Sequence, residues 1–104
     1  MEKMMVYQSE TDSEIEMEII GRLRYVGNSI FLELTDGKVY PCVGLDRYDY
    51  FRIVIDEGED YLMFVNNPRA LQSAGVTPEE LIGGKWEVVE DPTGQLQKAL
   101  DAYN

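Results

Sequence analysis

Hydrophobic and polar residues alternate along much of this chain, with the period of two that a half-buried β-strand imposes on its sequence. The clearest run is Glu14-Ile15-Glu16-Met17-Glu18-Ile19, which places Ile15, Met17 and Ile19 on one face. A helix competes here. Ser13 with Glu16 fits a capping box and Ile15 and Ile19 would share a helical face, but Met17 would then point elsewhere. The alternation therefore favours a strand over 13–20. The first ten residues form either an irregular start or a strand over Met4 to Gln8, which would pair with it through the polar stretch Ser9 to Asp12 as an N-terminal hairpin.

Arg22 to Val26 continues as a strand with Arg22 and Arg24 on one face and Leu23 on the other, until Gly27-Asn28 breaks it. A long loop follows. It holds a short apolar piece, Ile30 to Leu34, and closes on Thr35-Asp36-Gly37, a strong turn signal. Val39 to Leu45, Tyr50 to Ile55 and Asp60 to Val65 then predict a three-stranded antiparallel meander, its last two strands joined by the tight hairpin Asp56-Glu57-Gly58-Glu59. In the middle strand Phe51, Ile53 and Ile55 form the more apolar set and predict the core face, leaving Tyr50, Arg52 and Val54 outward.

Asn66-Asn67-Pro68 ends the meander. Thr77 suits a helix N-cap and Pro78 the first helical position, so one or two helical turns ending at Gly83-Gly84 are expected. Lys85 to Glu90 alternates again and predicts a last strand, stopped by Asp91-Pro92-Thr93-Gly94. From Gln95 to Tyr103 the spacing of Leu96 and Leu100, with Ala99 and Tyr103 beside them, predicts a helix that buries one stripe.

The length of 104 residues has room for one core. The expectation is a single mainly β domain: an N-terminal extension over 1–20, a small barrel over 21–91 and a C-terminal helix over 95–103. Seven tyrosines, three phenylalanines and Trp86 in a chain that is 44% hydrophobic oppose disorder, despite the high charge. No apolar run approaches the roughly 20 residues of a membrane span, and no basic region with an apolar core opens the chain, so a soluble cytoplasmic protein is expected. Cys42 is the single cysteine. It can form no internal disulfide, and its Val-Tyr-Pro-Cys-Val setting predicts a buried small hydrophobe.

Nine bases against twenty acids give a net charge of −11, which repels phosphate backbones and anionic lipid. Direct nucleic-acid or membrane binding is not expected. The charge is uneven: one base and six acids over 1–20, five and four over 21–55, three and ten over 56–104. Acidic flanks around a near-neutral middle would attract a basic partner, or serve solubility alone.

The order of elements from Gly21 to Asp91 resembles a small barrel of the SH3 type: a first strand, a long loop, a meander, a short helical connection and a closing strand. Leu34-Thr-Asp-Gly-Lys-Val-Tyr, Phe51-Arg-Ile-Val-Ile-Asp and Glu57-Gly-Glu-Asp-Tyr-Leu resemble a group of small bacterial and phage-encoded proteins without assigned function. That resemblance covers residues 21–68 and implies a fold rather than a chemistry. In SH3-type barrels, aromatic side chains flanking the first two loops and the end of the third strand form shallow grooves for extended, proline-rich ligands. The matching positions here are Tyr25, Tyr48, Tyr50, Phe64 and Pro68, with Arg52 beside them. Tyr48 stands in the polar loop Asp46-Arg47-Tyr48-Asp49, as a recognition residue would. Trp86 belongs to the groove or, by preference, to the core.

Catalytic chemistry finds little support. The chain has no histidine, which removes the commonest neutral-pH base and transition-metal ligand, so no enzyme activity is expected. The acids Asp56, Glu57, Glu59 and Asp60 lack the spacing of a calcium loop and read as a solvated hairpin tip. Gly83-Gly84-Lys85 lacks the upstream glycine and following Ser or Thr of a phosphate loop. No cofactor or metal is expected. Two functions remain: a protein-binding domain, monomeric or weakly dimeric, using the aromatic surface, or an acidic inhibitor or immunity-type protein that blocks a basic partner through Glu57, Glu59, Asp60, Glu87, Glu90 and Asp91.

Overall fold

The computed structural model describes residues 2–65, Pro68 and 84–103. The expected helix over Thr77 to Ile82 lies outside the described residues. Two strands, β1 (Lys3–Gln8) and β2 (Ser13–Glu18), form an antiparallel hairpin in which Lys3 faces Glu18 and Gln8 faces Ser13. The strand therefore wins over the helix at 13–18: pairing with β1 satisfies its backbone along one edge and sets Met17 beside Met4 and Ile15 beside Val6.

Five further strands follow: β3 (Gly21–Val26), β4 (Val39–Leu45), β5 (Phe51–Val54), β6 (Asp60–Met63) and β7 (Lys85–Glu90). They form one sheet of order β6-β5-β4-β3-β7, antiparallel throughout. This is the predicted meander with β3 on its inner side and the closing strand beside β3, compatible with an SH3-like layout. One feature departs from the expected barrel. No ladder joins β6 to β7 among the described residues, so the sheet is open and these strands are its two edges.

The helix α1 (Gln95–Tyr103) packs into the same core as the sheet and buries Leu96, Ala99 and Leu100. Alternation in β3 sends Leu23 and Tyr25 inward and leaves Arg22 and Arg24 partly exposed. Phe51, Ile53 and Ile55 are buried as expected, and so is Trp86, whose ring meets Tyr25 and Tyr40 edge-on with centroids at 5.9 and 6.4 Å. Cys42 is buried and unpaired with any other sulfur. Val54, expected on the outer face, is buried as well. The N-terminal hairpin binds the β5–β6 turn through Tyr7 N to Gly58 O at 3.2 Å and buries Val6, and neither Val6 nor Val54 belongs to the main core cluster. No helix among the described residues is long and apolar enough to cross a membrane.

Candidate functional site

The loop between β4 and β5 is fixed by one side chain. The Asp46 carboxylate accepts the amides of Tyr48 at 2.9 Å and Tyr50 at 3.0 Å, and its backbone carbonyl accepts Asp49 N at 3.0 Å. Such Asx-type bonds are why aspartate is favoured at turn starts, and here Asp49 takes a left-handed φ of 64°. The turn holds Tyr48 out from the surface, 54% exposed, with the Arg47 guanidinium carbon 4.9 Å from its ring centroid. Tyr50 sits behind it and half-buried. Its ring lies 6.0 Å from Tyr48, 5.6 Å from Phe64 and 6.0 Å from Tyr103, at tilted or edge-on angles typical of favourable aromatic pairs.

Tyr103 comes from the end of α1 and was not anticipated in this cluster. Its hydroxyl donates to the Tyr48 carbonyl at 2.6 Å. Burial, with Tyr50, Asp49 and Asp46 nearby, pushes this phenol above its ordinary pKa. Between the loop and the helix lies a cleft of about 230 Å³ lined by Leu45, Asp49, Gln95, Lys98 and Ala99. The result is an aromatic platform with a basic residue on either side, Arg47 at its edge and Lys98 in the cleft.

Three of the residues expected on this surface are elsewhere. Tyr25 shares the inward parity of Leu23 and is fully buried, its hydroxyl satisfied by the Asn28 carbonyl at 2.6 Å. A phenol with a local acceptor can be buried at little cost, which is why this tyrosine belongs to the core and not the groove. Pro68 is also fully buried. Arg52 remains at the surface but is committed: it pairs with Asp60 at 2.7 Å, a carboxylate whose side chain is only 5% exposed and which also accepts Gln8 Nε2 at 2.7 Å. It serves the junction with the N-terminal hairpin. Tyr48, Tyr50 and Phe64 are brought together.

The acidic positions do not form one face. Glu57, Glu59 and Asp60 lie at the β5–β6 turn and on the β6 edge, whereas Glu87, Glu90 and Asp91 follow β7 at the other edge. Most are engaged within the chain. Glu59 accepts Ser9 N at 2.9 Å and Ser9 Oγ at 2.6 Å, bonds that hold its carboxyl below the usual range. Glu87 pairs with Arg24 at 3.9 Å and Glu90 with Arg22 at 3.0 Å. Asp91 caps α1, accepting Leu96 N at 3.2 Å and Gln97 N at 3.0 Å. Glu57 is exposed at the turn tip. Among the described residues no three His, Cys, Asp or Glu side chains are grouped to hold a metal ion.

The densest polar network lies beneath the first loop. Asp56 accepts Lys38 Nζ at 2.6 Å, Tyr40 Oη at 2.9 Å and Thr35 Oγ1 at 2.8 Å. Burial foremost pushes the Tyr40 phenol up to about 12, with the Asp56 carboxylate adding to the rise. This network fixes the loop to the meander. The chain is compared with family models, curated proteins and solved structures, and none of the three gives a match.

Proposed function

We propose that this chain is a non-enzymatic protein-binding domain that engages another protein through the platform of Tyr48 and Tyr50, with Phe64 and Tyr103 behind them and Arg47 at the rim. The observation that carries this reading is the exposure of Tyr48 on a backbone fixed from both sides, by Asp46 and by Tyr103. A large aromatic side chain held in place contributes contact area at low entropic cost, and tyrosine and arginine are the residues most often found as binding hot spots. The strand order supports an SH3-like layout, in which this loop flanks the ligand groove. The absence of histidine from the chain and its net charge of −11 speak against an enzyme and against nucleic acid as the ligand.

The test is an affinity capture with the whole chain, washed at low and high salt, followed by calorimetry with the identified partner. Tyr48→Ala is expected to weaken that complex about tenfold or more, the scale of an aromatic hot spot. Unchanged affinity for Tyr48→Ala and Tyr50→Ala would sink the reading. The alternative, an acidic inhibitor of a basic protein, predicts a complex lost at high salt. Internal pairing of Glu59, Asp60, Glu87 and Glu90 leaves it less charge to offer.

A further inference from the structure

The clearest alternation in the chain, Glu14-Ile15-Glu16-Met17-Glu18, lies in β2 and shares no residue with the aromatic platform. Its ladder with β1 has a definite phase. Ile19 N donates to Glu2 O at 2.8 Å, and the unbroken register that sets Lys3 opposite Glu18 carries this phase along the whole hairpin. In an antiparallel pair every second residue turns its N–H and C=O towards the neighbouring strand, and the residues between turn theirs away. Ser13, Ile15 and Met17 therefore face β1, whereas Glu14, Glu16 and Glu18 direct their backbone outward. β1 obeys the same phase, since its outward residue Tyr7 donates from N to Gly58 O at 3.2 Å.

That bond occupies part of the outer edge of β1, and β2 has no counterpart to it. Among the described residues nothing bonds the outward N–H and C=O groups of Glu14, Glu16 and Glu18, and all three residues are exposed. The edge is also held in place. Glu59 fixes Ser9 at the turn of the hairpin, and Ile20 N donates to Cys42 O at 2.9 Å just beyond β2, so both ends are tied to the main sheet. A row of unpaired backbone groups on a fixed strand is a template for one more strand.

We infer that the free edge of β2 docks an extended strand of a partner protein in which lysine or arginine alternates with apolar residues. Side chains choose the occupant. Residues opposite each other in a sheet share a face, so an added strand sets every second side chain against Glu14, Glu16 and Glu18. The others fall against Met17 and against Ile15, which is 42% exposed. Lys3 pairs with Glu16 at 3.3 Å, while Glu14 and Glu18 have no ion pair among the described residues. Incoming bases complement this row, and apolar residues between them cover Ile15. A second copy of the chain does not fit. Antiparallel pairing of β2 with itself sets Glu16 opposite Glu16 and Glu14 opposite Glu18, and like charges directly opposite are destabilising. Glutamate on this edge thus blocks self-association while admitting a basic strand.

The test uses the full chain, isotopically labelled, with an end-capped peptide of alternating lysine and valine, Lys-Val-Lys-Val-Lys-Val-Lys. A block peptide of the same composition, with all lysines first, and an alternating glutamate–valine peptide are the controls. Calorimetry gives the affinity and NMR hydrogen exchange locates the contact. The alternating lysine peptide is expected to slow exchange at the amides of Glu14, Glu16 and Glu18 by about tenfold or more, and to leave Ile15 and Met17, already bonded to β1, nearly unchanged. Glu16→Pro removes only an outward N–H, so the hairpin keeps its ladder. It is expected to weaken the peptide by about tenfold or more, whereas Glu16→Gln, which keeps the N–H, weakens it less. As a second variant, Glu14→Lys, Glu16→Lys and Glu18→Lys together reverse the preference towards the glutamate–valine peptide. Tyr48→Ala leaves all these affinities unchanged, which separates this edge from the platform. No binding at about 1 mM peptide overturns the inference, as does equal affinity for the block peptide or slowed exchange only at other residues. Slow exchange of the same three amides that rises with protein concentration in the free chain would make a second copy the occupant and overturn it too.

Discussion

The hydroxyl of Tyr103, the last aromatic of α1, donates a 2.6 Å hydrogen bond to the backbone carbonyl of Tyr48, 55 residues earlier. Together with the Tyr50 ring between them, this bond fastens the C-terminal helix to the β4–β5 loop. Tyr103→Phe keeps the ring contact and removes the bond. It is expected to lower the melting temperature slightly and to speed hydrogen exchange at residues 47–50. Thermal melting with exchange mass spectrometry reads both. Exchange unchanged in that loop would show that Asp46 alone fixes Tyr48.

Asp56 gathers Lys38, Tyr40 and Thr35 on one carboxylate. Burial by itself raises its pKa, but the three hydrogen bonds and the Lys38 charge outweigh burial and hold it below its ordinary 3.8. A depressed folded value contributes stability that is fully present above the unfolded pKa and is lost as pH falls below 3.8 through the folded value. Tyr40 acts at the other limb: with its phenol raised from 10 to about 12, its contribution is complete below pH 10 and is lost as pH rises towards 12. Asp56→Asn is expected to lower stability at neutral pH by about 1–2 kcal/mol and to flatten the decline below pH 4. Chemical denaturation from pH 2.5 to 7 measures both effects.

Gly84 enters β7 against the end of β3. A Cβ built there falls 1.7 Å from the Val26 carbonyl oxygen and 2.7 Å from Gly27 Cα, both rigid backbone. Gly84→Ala must push the strands apart at the point where the closing strand begins. A loss of about 2 kcal/mol or more is expected, far beyond the usual surface substitution. A melting temperature within a degree or two of the wild type would contradict that packing.

Cys42 is fully buried in β4, and burial pushes its thiol up to about 11, with hydrogen bonds to backbone only partly opposing the rise. Since the thiolate is the reacting species, native protein at pH 8 is expected to resist iodoacetamide and to react fully once unfolded in guanidinium. Rapid native labelling, quantified by intact mass, would place the thiol at the surface.

Elements set by local pattern were readable from the residues. The hairpin Asp56-Glu57-Gly58-Glu59, the closing strand at Lys85 and the Leu96–Leu100 stripe all announce themselves within a few positions, because period and turn chemistry are local properties. Tyr25 was also readable, in hindsight of its parity with Leu23, and its placement in the groove came from the resemblance rather than the strand. The rest depends on contacts far apart in sequence. Nothing near Val54 signals its burial, nothing near Arg52 selects Asp60 and Gln8 as its companions, and nothing in α1 shows that Tyr103 reaches the Tyr48 carbonyl. Phe31 illustrates the same limit from the other side. An apolar run at 30–34 tells that something is buried, and Leu34 is, but not that Phe31 points away from the protein.

The single tryptophan lies where two strands distant in sequence meet, β3 and β7, with Tyr25 and Tyr40 ringed against its indole and its Nε1–H without a hydrogen-bond partner among the described residues. An indole in that setting is an intrinsic optical gauge. Its emission should sit at the blue end for tryptophan, be fed by energy transfer from the two adjacent phenols, and shift red only when the edge strand β7 leaves β3. Because no second tryptophan contributes to the signal, one cuvette measurement follows the closing of this sheet without any label.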